Sequence, residues 1–206
     1  MHRAVRYFRQ LKFFPLLVFS GIVLFSQTEA FGQGGPGAAK EAETEWFKVT
    51  STEFKFETSF PSKPSIETMD LRDVTGPVKA TFYSSFTEDG VYTMAIVDLR
   101  QLAKTPGGSV DPEVKKRIAI SIFFGLTASM EEFVPELDVT LKGEVILNGV
   151  TGTNYKLHYL DEPDSDVGHV RVFSADYFIY TELSMEKDMK KNGARTKRFA
   201  SHLRFS

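Results

Sequence analysis

From Trp46 onward the chain alternates apolar and polar side chains, switches once to a four-residue rhythm, and then returns to alternation. Phe54, Phe56, Thr58 and Phe60 alternate with Lys55, Glu57 and Ser59, which predicts a half-buried strand. The following FPSKP stops it, because proline cannot donate to a ladder. Strands are predicted over 66–73 and 79–86 around Thr75-Gly76-Pro77, and Glu88-Asp89-Gly90 reads as a hairpin turn with Gly90 at positive φ, leading into VYTMAIVDL at 91–99. Four such signals in a row predict an antiparallel meander. The rhythm changes at Asp111-Pro112-Glu113, a helix start with an Asp N-cap, a first-turn proline and an acid at the positive dipole end. Val114, Ile118, Ile122, Leu126 and Met130 then recur every fourth position, so one stripe of this helix faces a core. Gly125 interrupts it at a cost of about 1 kcal/mol relative to Ala, and close packing is the expected reason. Alternation resumes over 139–147, ended by Asn148-Gly149, and over 151–160, 167–173 and 177–185. The last stretch, NGARTKRFASHLRF, reads as a closing helix with Phe199 and Leu203 one turn apart on its buried side. Runs of strands with two helices set apart from them define an α+β fold: an antiparallel sheet of about six or seven strands flanked by helices, in an α/β/α-type sandwich.

The ends of the chain follow other rules. Arg3, Arg6, Arg9 and Lys12 precede FFPLLVFSGIVLF, an apolar run over 13–25, and this basic-then-apolar order is that of a signal peptide. The run is shorter than the roughly 20 residues of a spanning helix, and small residues at 28–32 suit cleavage before Phe31 or Gln33. Residues 1–32 are therefore read as a leader, 33–45 as a glycine-rich and charged tether, and 46–206 as one domain. The expected destination is the periplasm or the exterior, with no stable membrane span after cleavage. Cysteine is absent, which excludes both a lipid anchor behind the leader and any disulfide, so stability must come from the core. Loss of the leader removes four cations and one acid and moves the net charge from −2 to −5. That balance argues against a nucleic-acid partner.

One segment is dense in groups that do chemistry. LHYLDEPDSDVGH, at 157–169, holds two histidines and four carboxylates. Alternation places His158 and His169 on the polar face of a hairpin, and the simplest register sets them directly opposite one another, close enough for both rings to reach one ion. With Asp161, Asp164 and Asp166 in the intervening loop, these residues are the candidate ligands of a divalent metal, the only cofactor the sequence suggests. Asp, Pro, Ser and Gly are also what an exposed turn is made of, and a solvated hairpin is the competing reading. Catalytic signals are otherwise poor: there is no cysteine and no Gly-x-Ser-x-Gly elbow. A second cluster, Lys187, Lys190, Lys191, Arg195, Lys197 and Arg198, stands against a single acid and is the candidate docking patch for an acidic partner or anionic lipid, with a solvated helix face as the competing reading.

Three segments carry a family resemblance: FKFETSFPSKP, in which an aromatic strand runs into Phe-Pro and a second proline; GEVILNGVTGTNYKLHY at the centre; and an aromatic strand leading to RFASHLRF at the end. Together with the order of elements, they resemble the PsbP-like α/β sandwich superfamily over most of residues 46–206. The resemblance implies an antiparallel sheet flanked by helices, in a group whose better-known members are non-catalytic: an extrinsic subunit of the oxygen-evolving photosystem, a Ran GTPase nuclear-import cofactor, and many exported bacterial domains. No binding residues transfer, because none of their motifs is present. The expectation is an exported, non-enzymatic domain that binds another protein of the cell envelope, with metal or small-ligand binding at the 158–169 hairpin as the alternative.

Overall fold

The computed structural model describes residues 46–73, 76–103, 108–131, 136–186 and 189–206; the expected leader (1–32) and tether (33–45) lie outside the described residues. The alternating stretches become β1 (Phe47–Ser51), β2 (Phe56–Phe60), β3 (Ser65–Asp73), β4 (Gly76–Phe86), β5 (Gly90–Asp98), β6 (Leu137–Leu147), β7 (Val150–Tyr159), β8 (Gly168–Ala175), β9 (Phe178–Glu186) and β10 (Arg204–Phe205). The four-residue rhythm becomes α1 (Pro112–Glu131), and the closing helix is α2 (Met189–His202). Seven strands form one sheet in the order β3-β4-β5-β9-β8-β7-β6, and β1-β2-β10 form a smaller one. Every named pairing is antiparallel.

The predicted α+β class is therefore the observed one, in three layers. On one face of the large sheet α1 buries Ile118, Ile122, Phe123, Leu126 and Met130 against Val97, Leu157, Val170, Ile179 and Leu183. The opposite face is covered by the small sheet and α2, whose Phe56, Phe60, Phe199 and Leu203 meet Tyr83, Tyr92, Met94, Ile96, Phe173 and Tyr180. Strand β9 lies between the two cores, and all nine of its residues are buried. Its odd-numbered side chains enter the first core and its even-numbered ones the second, as the two-residue period of a strand requires.

The caps and turns follow their local chemistry. Asp111 Oδ1 accepts the Glu113 N–H at 2.8 Å and so caps α1. Asn148 and Gly149 take φ of 49° and 79° between the paired Leu147 and Val150, the two positive values of a type I′ hairpin.

Four sequence expectations need correction. Phe54 is not in a strand: Lys55, at φ 51°, breaks the run, and the residues before it pair with β2 as the unanticipated β1. The closing helix stops at His202, and Arg204–Phe205 pair with β2 instead. Gly90 does not adopt positive φ. A Cβ there would lie 2.5 Å from the Met185 carbonyl oxygen and 3.0 Å from Glu186 Cγ, so the need for glycine is steric. Gly125 meets the opposite fate, since an added Cβ would find nothing within 4 Å and close packing does not explain it.

These two kinds of glycine predict opposite responses. Gly125→Ala is expected to raise the unfolding free energy of the single chain by about 1 kcal/mol through helix propensity. Gly168→Ala places a Cβ 2.2 Å from the Ser184 carbonyl oxygen and is expected to lower it by about 1–3 kcal/mol through overpacking. Denaturant midpoints at unchanged m-value report both.

Candidate functional site

Under and beside α2 the large sheet changes character. Its β4-β5 side is aromatic, but β7, β8 and β9 turn a polar strip toward the same layer. Register builds that strip row by row: Asn154, Arg171 and Glu182 lie opposite one another in one row, and Lys156, His169 and Ser184 in the next. Glu182 and Glu186 are 2% and 1% exposed, which is rare for carboxylates unless they are partnered.

Each of the two acids has a partner from a different element. Arg171 forms an ion pair with Glu182 Oε2 through Nε and Nη2, and the same Nη2 donates to the Ala200 carbonyl of α2 at 2.5 Å. Glu186 Oε1 accepts from the Tyr92 hydroxyl of β5 and, at 3.1 Å, from the Thr196 hydroxyl of α2. The second oxygens, Glu182 Oε1 and Glu186 Oε2, are buried with no hydrogen-bond partner, as is Asn154 Oδ1. Burial pushes the carboxyls of both acids up. Arg171 pulls Glu182 back, and the Tyr92 and Thr196 hydroxyls with Arg195 pull Glu186 back. The Tyr92 hydroxyl is pushed up by burial and by its bond to Glu186.

The residues singled out in the hairpin part company. Register sets His169 opposite Lys156 and His158 opposite Asp138, so the direct pairing of His158 with His169 does not occur. The loop Asp161 to Val167 accounts for the slip: the Val167 N–H donates to the Leu157 carbonyl at 3.0 Å, and the register of β8 is shifted by two residues along β7, with Gly168 opposite Leu157. His158 is 3% exposed. Its Nδ1–H donates to its neighbour's carbonyl, Tyr159 O, at 2.8 Å, which leaves Nε2 to accept from the Thr140 hydroxyl at 2.8 Å. His169 Nε2 instead lies 3.6 Å from Asp166 Oδ2. Burial lowers its pKa, Asp166 opposes this, and Arg171, Lys142 and Lys156 reinforce it. Asp161 and Asp164 are exposed. Among the described residues no three His, Asp or Glu side chains gather as a metal site; His169 and Asp166 supply two ligands, where protein zinc sites use three or four.

The basic run is likewise divided. Arg195 Nη1 reaches Asp89 Oδ2 at 3.1 Å, and the Arg198 guanidinium lies 4.8 Å from the Trp46 ring centre, which also meets His202 edge-on. Both arginines thus fasten α2 to its surroundings. Lys197 is exposed; Lys187 and the side chains of Lys190 and Lys191 lie outside the described residues. Arg171, Glu182, Tyr92 and Glu186 escaped the sequence reading, although acids at 182 and 186 within YTELSME share the parity of Tyr180. Two charges on the core face of a strand are the signal that was available.

No protein-family model matches the chain, and no curated protein matches it. Among solved structures it is similar to the solution structure of cyanobacterial PsbP (CyanoP) from Synechocystis sp. PCC 6803, at 12% identity and a TM-score of 0.42, covering 84% of this chain and 98% of that one.

The raised Glu186 carboxyl sets a sign for pH dependence. Because the folded chain holds this proton more tightly than the unfolded one, Glu186 stabilises below the ordinary carboxyl value of 4.5, and that contribution is lost as pH rises through the folded value. Glu186→Gln keeps an acceptor for Tyr92 and Thr196 and removes the titration. The fall in Tm between about pH 5 and about pH 8 is therefore expected to be smaller in Glu186→Gln by a few degrees. An equal fall in both proteins would show that this carboxyl is not raised.

Proposed function

We propose that this chain is an exported, non-enzymatic binding domain whose ligand is another protein of the cell envelope. The observation that carries this reading is the outer edge of the large sheet at β3. It pairs with β4 through nine consecutive residues without a register shift, Ser65 to Asp73, and among the described residues no strand pairs with its other side. Ile66 stands on this edge 61% exposed. The opposite edge, β6, is broken by a bulge between Leu141 and Gly143 that carries Lys142, a device by which proteins protect strand edges from pairing. A regular edge beside a protected one is suited to strand addition, in which main-chain bonds supply affinity and alternate side chains supply choice.

The chemistry of the interior supports the same reading. Arg171, Glu182, Glu186 and His158 are engaged with other elements of the fold. The hollow bounded by Lys115, Asp176 and Tyr177 has a volume of ≈ 260 Å³, and the one bounded by Lys55, Tyr180 and Phe205 ≈ 220 Å³. Both fall below the roughly 300–1,000 Å³ of small-molecule sites. The leader read at 1–32 supports the envelope as the place of action.

The test is a photo-crosslinking amino acid placed at Ile66 in the producing cells, with the same probe at the exposed Ser201 as reference. One envelope protein is expected to be captured from position 66 and not from 201, and an Asp70→Pro change on the same edge is expected to abolish its capture. Equal capture from both positions, or none from 66, contradicts the reading.

A further inference from the structure

We infer that α1 is a two-fold contact between two copies of this chain. Three features of this helix are complementary to themselves under antiparallel self-pairing. The first is apolar exposure: Ile120 and Phe124, one turn apart, are 42% and 41% exposed on the outer face, although the Phe124 ring also packs edge-on against Phe123. The second is Gly125, exposed beside them with nothing within 4 Å of where its Cβ would be. It weakens the helix and gains nothing from the chain's own packing. The third is charge. Lys116 and Arg117 stand exposed in the first half of the helix, while its last turn holds no cation to meet the terminal carbonyls.

The outer face carries two adjacent rows at four-residue spacing. Lys116, Ile120, Phe124 and Ala128 make a ridge with two large apolar members; Arg117, Ser121 and Gly125 make the groove beside it. Helices pack by laying such ridges into such grooves. When two copies cross antiparallel about an axis midway between Ser121 and Phe124, Ile120 of each falls opposite Gly125 of the other, and Phe124 opposite Ser121. One centre satisfies both matches, as an isologous contact demands. The same arrangement brings Lys116 and Arg117 against the final turn of the partner helix, whose carbonyls are complementary in charge. A parallel two-fold would instead set Ile120 on Ile120 and cation on cation. Helix α1 covers the face of the sheet remote from α2, so this contact is independent of the binding reading for β3.

The absence of cysteine makes the test clean, because every disulfide must join introduced residues. Two differently tagged full-length copies, one I120C and one G125C, are produced together, oxidised and resolved without reductant. Pre-association raises the effective concentration of facing thiols, so the mixed 120–125 disulfide is expected to exceed both the 120–120 product and an I120C–K63C reference by about tenfold or more. A mixed product no greater than the K63C reference overturns the pairing, and a predominant 120–120 product overturns its antiparallel sense. F124E introduced into the I120C copy is expected to abolish the mixed disulfide, and its retention counts against the contact. Sedimentation of the unsubstituted protein from its producing cells, which depends on no variant, is expected to show a two-copy mass; a monomer at about 100 μM, well above the dissociation constants usual for specific homodimers, overturns the inference.

Discussion

Strand β9 is the element on which the rest depends, because it is buried on both faces along its whole length. Ile179, Leu183 and Met185 complete the core beneath α1, while Phe178 and Tyr180 complete the core beneath the small sheet. The long-range closure of the large sheet is also there: β5 pairs with β9 across the intervening α1 and the β6-β7-β8 meander. A strand so placed would ordinarily be apolar throughout, yet β9 carries Glu182, Ser184 and Glu186 on its α2 side.

Those polar residues tie the position of α2 to the sheet. An aromatic contact alone, such as Phe199 against Phe60 and Tyr92, is tolerant of sliding, because apolar burial has no direction. Arg171 and Thr196 each donate across the interface, to the Ala200 carbonyl and to Glu186 Oε1, which sets the helix at one height over β8 and β9. Buried ion pairs of this kind add little net stability over apolar residues of the same volume, but losing one partner is costly. The small sheet is drawn into the same arrangement, since Leu203 follows α2 directly into the second core and Arg204–Phe205 then pair with β2.

Much of this was legible in the sequence, for reasons that differ by element. The α1 stripe and its Asp111 cap are local patterns, and local patterns survive tertiary context when the helix is long. Strands β3 to β9 were legible because each is bounded by turn residues and keeps its period. Strand β1 was not, since Phe47–Ser51 has few core residues and depends on β2 for its existence. Register was the least legible quantity. The hairpin at 158–169 reads equally well with His158 opposite His169 or with a longer loop, and the Val167 to Leu157 bond decides for the second. The Arg171–Glu182 pair was hidden for a related reason: a charge within a strand-like run reads as a solvent-facing position until a helix is known to lie over it.

The central claim is that Arg171 and Glu182 act as one unit that seats α2, and a double-mutant cycle on unfolding free energy tests it most directly. Arg171→Met leaves a carboxylate buried with no counter-charge and is expected to cost about 3–5 kcal/mol. In the Arg171→Met, Glu182→Leu double variant most of that loss is expected to return, because neither charge then remains in the interior. Losses that simply add would contradict the account and would mean that the two residues contribute separately to a helix held by its aromatic contacts alone.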